Sequence, residues 1–187
     1  MNQKTAFIFH GTGANPDMHW FPWLDEKLKQ NGYEVIRPNF PTPENQSLEN
    51  WLDVFNQYND KLDSDSILIG HSTGAVFVLN VLEKYDQKIA GSFLVSGFIG
   101  PLGLEDFDPL NKTFAERDFN WQKIRDNSEK FFIYNSKDDP YVPFRKAKEL
   151  EKKLNGTIRK FESGGHLNQN SGYTEFSDLL EDIKSVE

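Results

Sequence analysis

The segment Ser66-Ile67-Leu68-Ile69-Gly70-His71-Ser72-Thr73-Gly74-Ala75-Val76-Phe77-Val78-Leu79 constrains the fold more than any other part of the chain. An apolar run of strand length comes first, Gly-x-Ser-x-Gly follows at once, and an apolar run of helical length comes next. This order predicts a strand, a tight turn and a helix that doubles back close against the strand. Gly70 and Gly74 leave room for that crossing, and Ser72 at the apex is forced into a strained backbone conformation with its hydroxyl exposed. A serine hydroxyl is a poor nucleophile near neutral pH, so it needs a base beside it and hydrogen-bond donors for the developing oxyanion. The backbone N–H of Thr73, at the start of the helix, is placed to be one of those donors.

Strands and helices alternate along the remainder. Thr5–Phe9 reads as the first strand, and His10-Gly11-Thr12-Gly13 follows it directly. A glycine-rich turn after a first strand can mark a dinucleotide site, but position 16 is Pro rather than the third glycine, and no acidic residue closes a second strand. The turn is better read as the second half of an oxyanion hole, with the Thr12 N–H as the other donor. A helix to about Asn31 stops at Gly32, Glu34–Arg37 is the second strand, and Ser47 caps a helix to about Tyr58. The central helix spans Thr73–Tyr85, and Gly91–Ser96 is the fourth strand. Phe131–Asn135 is the fifth strand, Phe144–Leu154 a helix, Thr157–Phe161 the sixth strand, and Tyr173–Ile183 a final amphipathic helix. Six such alternations predict one α/β domain over residues 1–187, a doubly wound, parallel, six-stranded sheet in three layers. Residues 98–130 are longer than an ordinary connection and are expected to form a lid or cap insertion, with a short helix near Trp121–Arg125.

The predicted nucleophile needs a base, and the base needs an orienting carboxylate. Of the four histidines, His10 and His19 precede Ser72, His71 lies inside the turn, and His166 follows the last strand behind two glycines that let the backbone swing it inward. Asp138 and Asp139, past the fifth strand, are the natural acids. Only one can face His166, because adjacent residues of an extended segment point to opposite sides. The order Ser, Asp, His is that of α/β-hydrolases. Every candidate sits past the carboxyl end of a strand, where open α/β sheets place their sites.

These residues resemble the small α/β-hydrolase family that includes the retinoblastoma-binding serine hydrolase and its compact bacterial relatives. The resemblance rests on His19-Trp20 with Trp23-Leu24, Trp51-Leu52, Gly70 to Ala75, Val95-Ser96, Asp138-Asp139-Pro140 with Val142-Pro143, and Gly165-His166. It implies a reduced α/β-hydrolase fold without the N-terminal hairpin and a cofactor-free serine hydrolase acting on carboxylic esters or amides. It also implies Ser72, Asp139 and His166 as the triad, with Asp139 opening an Asp-x-x-Val-Pro signature. The vertebrate member carries Leu-x-Cys-x-Glu before the corresponding strand. The stretch here is Leu62-Asp63-Ser64-Asp65-Ser66, so pocket-protein binding is not expected. A non-catalytic binding module and an acyltransferase are the rival readings.

Composition excludes other classes. The chain has no cysteine, which removes disulfides, thiolate metal sites and a thiol nucleophile, and no histidine pair or carboxylate cluster has metal-ligand spacing. The formal charge is -8 and no Lys/Arg run exceeds two residues, which argues against a nucleic-acid partner. Neither a leader-like nor a membrane-length apolar segment is present, so a cytoplasmic location and a small-molecule substrate are expected. Aromatic residues make up 14% of the chain despite a mean hydropathy of -0.66, so some rings are expected to line a pocket. Trp20 and Phe21 after the oxyanion turn, and Phe107, Phe114, Phe119 and Trp121 in the insertion, are the candidates for substrate binding.

Overall fold

In the computed structural model, which describes residues 4–186, apolar residues alternate along the inner strands so that each strand feeds two cores. Strand β1 (Thr5–Phe9) sends Phe7 and Phe9 to one face of the sheet and Ala6 and Ile8 to the other. Strands β3 (Ile67–His71), β4 (Gly91–Val95) and β5 (Phe131–Ser136) are likewise buried on both faces, as parallel strands between helical layers are. Strands β2 (Glu34–Ile36) and β6 (Thr157–Phe161) are only partly covered and form the edges. The order is β2-β1-β3-β4-β5-β6, and every pairing is parallel.

Helices α1 (Phe21–Gln30) and α7 (Ser177–Lys184) cover one face through Phe21, Leu24, Leu28, Leu179 and Ile183. Helices α2 (Leu48–Phe55), α3 (Thr73–Lys84) and α6 (Phe144–Leu154) cover the other, with Trp51, Phe55, Val76, Leu79 and Leu150 in its core. Ser47 caps α2 as expected, its hydroxyl accepting from the Asn50 N–H at 3.1 Å.

The insertion is more ordered than its sequence suggests. Residues 98–130 hold helix α4 (Asp108–Ala115) as well as the short helix α5 (Trp121–Asp126), and both lie against α3 with Phe114 and Ile124 in the core. That outer cover explains why α3 is buried from Thr73 to Leu82. The stretch before α4 is partly exposed, and its shape is set by Asp108. The Asp108 carboxylate accepts the backbone N–H groups of Leu102, Gly103 and Leu104 at 2.8, 2.7 and 3.1 Å. Desolvation opposes ionisation there, but those three donors outweigh it and hold the carboxyl below its ordinary range. The final helix begins at Ser177 rather than Tyr173, because Phe176 is drawn inward to pack on Trp20 and Tyr134. Among the described residues no helix is long and apolar enough to cross a membrane.

The tightest crossing is that of α3 over the sheet. A methyl group on Gly74 would lie 2.2 Å from the Phe9 carbonyl oxygen, and one on Gly70 would lie 2.3 Å from the Gly74 oxygen. Backbone atoms leave no room to yield, so Gly74→Ala is expected to cost about 1–3 kcal/mol. That corresponds to a fall in Tm of about 3–10 °C for a chain of this size. Differential scanning calorimetry checks it, and an unchanged Tm would mean that the crossing is looser than described.

Candidate active site

The sheet order places a switch between β1 and β3, where the chain leaves in opposite directions and a crevice opens at the strand ends. Both sides of that crevice are turns predicted from sequence. After β3, Ser72 has φ 55° and ψ -121°, a conformation that L-residues rarely adopt, held by its N–H on the Val95 carbonyl at 2.8 Å and by the Ala75 N–H on its own carbonyl at 3.0 Å. Thr73 opens α3, where the first N–H groups have no acceptor within the helix. After β1, a turn closes from the Ala14 N–H to the Gly11 carbonyl at 3.2 Å and leaves the Thr12 N–H outside its own bond. Buried His10 fixes this turn: its Nδ1–H donates to the Gly11 oxygen at 2.9 Å, and Nε2 accepts the Phe40 N–H at 3.0 Å.

His166 arrives from the turn after β6. Its Nδ1 lies 2.9 and 3.0 Å from the two Asp139 oxygens, and the Asp139 side chain is wholly buried. The same carboxylate accepts the Tyr141 and Val142 N–H groups at 2.9 and 3.0 Å, which fixes its plane. The neighbouring carboxylate has a different task. Asp138 accepts a hydrogen bond from the Ser136 hydroxyl, the Gly164 and Gly165 N–H groups at 2.9 Å each, and the Ser163 hydroxyl at 2.9 Å. These donors, Ser136 foremost, hold its carboxyl far below the usual range. Asp139 therefore faces His166, while the backbone that Asp138 clamps is the turn carrying His166.

His71 supports His166 from beneath. Its Nε2–H donates to the His166 carbonyl at 2.9 Å, and the two rings meet edge to face at 4.8 Å. Burial, then the nearby histidines, hold His71 well below its ordinary value, so it stays neutral and its buried Nδ1 has no partner. His19 is likewise lowered, to about 4, chiefly by burial.

Ser72, His166, Thr12 and His71 line one cavity of about 180 Å³. Its other walls include Leu102, Leu104, Phe107 and Asn111 of the insertion, Tyr141 and Val142 after β5, and Met18, His19, Asn168 and Asn170. No Lys, Arg, Asp or Glu side chain among the described residues lines it. Among the described residues no group of His, Asp and Glu is arranged to hold a metal ion.

Of the six aromatic residues expected to line a pocket, Phe107 alone lines this cavity. Trp20, Phe21 and Phe114 are fully buried and are corrected to core positions. Trp20 stacks edge to face on Phe21 at 4.7 Å and donates its indole N–H to the Leu167 carbonyl at 3.0 Å, bracing the residue after His166. Phe114 packs on Trp51 at 4.8 Å. Phe119 and Trp121 border a separate hollow beside Lys146 and Lys153 and do not reach the cavity. Sequence reasoning missed Tyr141, whose ring meets His166 at 5.0 Å and Phe107 at 5.7 Å, and it missed Asn111. Tyr141 lies inside the Asp139–Pro143 segment already singled out; for Asn111 the available signal was Asp108-Pro109, a helix start.

This arrangement is that of the α/β-hydrolase fold. The model of the serine hydrolase family matches residues 6–184, and the chain belongs to that family. It is 33% identical to YdeN of Bacillus subtilis (strain 168) over 97% of this chain and 95% of that protein. It is 30% identical to the serine hydrolase RBBP9 of Rattus norvegicus over 98% and 95%. The solved structure of the Bacillus subtilis ydeN gene product superposes with a TM-score of 0.91 at 31% identity, covering 98% of each chain. Est1E of Butyrivibrio proteoclasticus, 16% identical over 97% of this chain and 86% of that one, superposes at 0.69 and shares the fold.

The Asp138 clamp yields a test independent of chemistry. The folded-state value lies below the unfolded one, so the clamp stabilises the turn wherever an unfolded carboxylate is ionised and is lost as pH falls through the lowered folded value. Asp138→Ala at neutral pH is expected to raise amide exchange at Gly164 and Gly165 by at least about tenfold, with the circular dichroism spectrum unchanged. Exchange at the wild-type rate would remove the clamp.

Proposed function

We infer that the protein hydrolyses carboxylic esters or amides through an acyl-enzyme on Ser72. One observation supports this reading above the rest. A serine in a strained strand-to-helix turn shares a cavity with a histidine whose other ring nitrogen is held by a fully buried carboxylate. The strained turn carries Ser72 at the carboxyl end of β3 and on the cavity wall, where a nucleophile has to stand.

In this mechanism Ser72 Oγ attacks the acyl carbonyl carbon, and its proton passes to Nε2 of His166. Asp139 keeps the Nδ1–H tautomer and stabilises the imidazolium that forms. The carbonyl oxygen becomes an oxyanion held by the N–H groups of Thr12 and Thr73, a contribution of about 3–4 kcal/mol per donor in comparable sites. Collapse of the tetrahedral intermediate breaks the bond to the leaving group, which takes the proton from His166. Water then repeats the sequence and releases the acid, restoring the Ser72 hydroxyl.

The cavity favours a small, uncharged acyl group. Its volume is below the range of about 300–1,000 Å³ that holds drug-sized ligands, and no formal charge lines it. The net charge of -8 favours a free small molecule over nucleic acid as substrate, and a cytoplasmic setting without pocket-protein partners fits this reading.

A fluorophosphonate probe is expected to label wild-type protein at a single site, and Ser72→Ala to lose both labelling and ester turnover. Asp139→Asn is expected to keep the labelling site and the fold while lowering kcat by up to about 10⁴, because the amide favours the wrong imidazole tautomer. Persistent labelling of the Ala variant, or an Asp138→Asn variant more impaired than Asp139→Asn at equal Tm, would overturn the assignment.

A further inference from the structure

The two threonines whose N–H groups flank Ser72 are joined through their side chains to one residue of the insertion. Thr73 Oγ1 donates to Asn111 Oδ1 at 2.7 Å, Thr12 Oγ1 lies 3.0 Å from the same oxygen, and the two hydroxyls are 2.9 Å apart. Gln46 Nε2 lies 3.2 Å from Asn111 Oδ1, 2.8 Å from Thr12 Oγ1 and 3.1 Å from the Leu110 carbonyl.

The last contact sets the polarity of the network. A backbone carbonyl only accepts, so the Gln46 atom facing Leu110 is nitrogen. That nitrogen also faces Asn111, so the Asn111 atom there is oxygen. The other end agrees: the Gly13 N–H donates to Thr42 Oγ1 at 2.8 Å, which frees the Thr42 hydroxyl to donate to Gln46 Oε1 at 2.6 Å.

Asn111 Oδ1 is thus committed to the network, and its Nδ2 is left over. This nitrogen donates to no protein acceptor among the described residues. It is not sealed in, and Asn111 is one of the residues lining the cavity that Ser72 also lines. A hydrogen-bond donor in a wall without formal charge selects for an acceptor on the substrate, because an analogue without one leaves the donor desolvated and unpaired.

We propose that Asn111 is a specificity-determining residue whose Nδ2–H binds an oxygen on the acyl side of the substrate, adjacent to the scissile carbonyl. This rests on the acyl-enzyme reading above. In that reading the carbonyl oxygen is taken by the backbone N–H groups and the leaving group by His166, which makes no contact with the Asn111 network. The acyl group is the remaining substituent of the reacting carbon. Asn111 meets it near that carbon, since its Oδ1 bonds the side chain of the residue that supplies an oxyanion donor. The favoured class is an acyl group bearing an ether, hydroxyl or carbonyl oxygen on the carbon next to the reacting carbon.

The test compares p-nitrophenyl methoxyacetate with p-nitrophenyl butyrate, which differ by an oxygen in place of a methylene. Each kcat/KM is divided by the rate of hydroxide hydrolysis, which removes intrinsic reactivity. Wild-type protein is expected to prefer the methoxyacetate by about tenfold to a hundredfold after this correction. Asn111→Asp keeps the oxygen that Thr12, Thr73 and Gln46 require and removes the donor. It is expected to bring the preference to within about twofold of unity while fluorophosphonate labelling persists. Asn111→Ala, which also removes the oxygen, is expected to lose the preference and to lower kcat for both esters. Labelling and turnover with the wild-type preference unmoved in Asn111→Asp would overturn this proposal alone, as would an equal loss on both esters. Absence of labelling and turnover in wild-type protein would overturn the acyl-enzyme reading and this proposal with it.

Discussion

The close approach of α3 to the end of β1 is the contact on which the rest of the site depends. Helix and strand meet where Gly74 lies against the Phe9 and His10 carbonyls, and no side chain fits between them. Because they meet so closely, the turn between β3 and α3 is short, and its one central residue takes up the strain at φ 55°. The same closeness brings the turn after β1 alongside Ser72, so that Thr12 and Thr73, separated by 61 residues, are within hydrogen-bond distance through their hydroxyls. A looser crossing would relax Ser72 and separate the two threonines together.

The two adjacent aspartates show how one extended segment divides its labour. Asp139 faces inward and is enclosed, holding the His166 ring while its own carboxylate is held by the Tyr141 and Val142 N–H groups. Asp138 faces outward yet accepts four donors, three of them from residues 163–165. One carboxylate therefore orients the imidazole and its neighbour fixes the backbone from which that imidazole hangs. With His71 bonded to the His166 carbonyl, ring and main chain are both held, and reactivity relies on such constraint.

The sheet, its six strands and most helices were legible because apolar periodicity and punctuation agreed: Gly32 after α1, Ser47 before α2, the glycines around Ser72. The residues around Ser72, Asp139 and His166 were legible for a related reason, since each follows a strand end. The cavity wall was much less so. Trp20, Phe21 and Phe114 were expected beside substrate because they lie near the right turns or in the right insertion, yet large rings gain most by full burial and the two cores took them. Tyr141 and Phe107 escaped that draw because they stand on loops at the open end of the sheet. Helix α4 was missed because its apolar residues are sparse, and Asp108 is spent on holding the preceding loop.

Asn111 shows why such a residue leaves little trace in sequence. An asparagine in a helix carries a modest propensity cost, and nothing in its neighbours announces a partner. Its meaning comes from polarity relayed through Gln46 from the Leu110 carbonyl, a residue on the same helix, so α4 supplies both the acceptor that orients Gln46 and the amide that Gln46 orients. The loop before α2 contributes Gln46, the turn after β1 contributes Thr12, and α3 contributes Thr73. Three segments distant in sequence thus converge on one amide of α4, and α4 itself is held against α3. The insertion is for this reason more than a cover: buried against α3 through Phe114, it has the rigidity to hold Asn111 at the cavity wall, which a mobile flap would not.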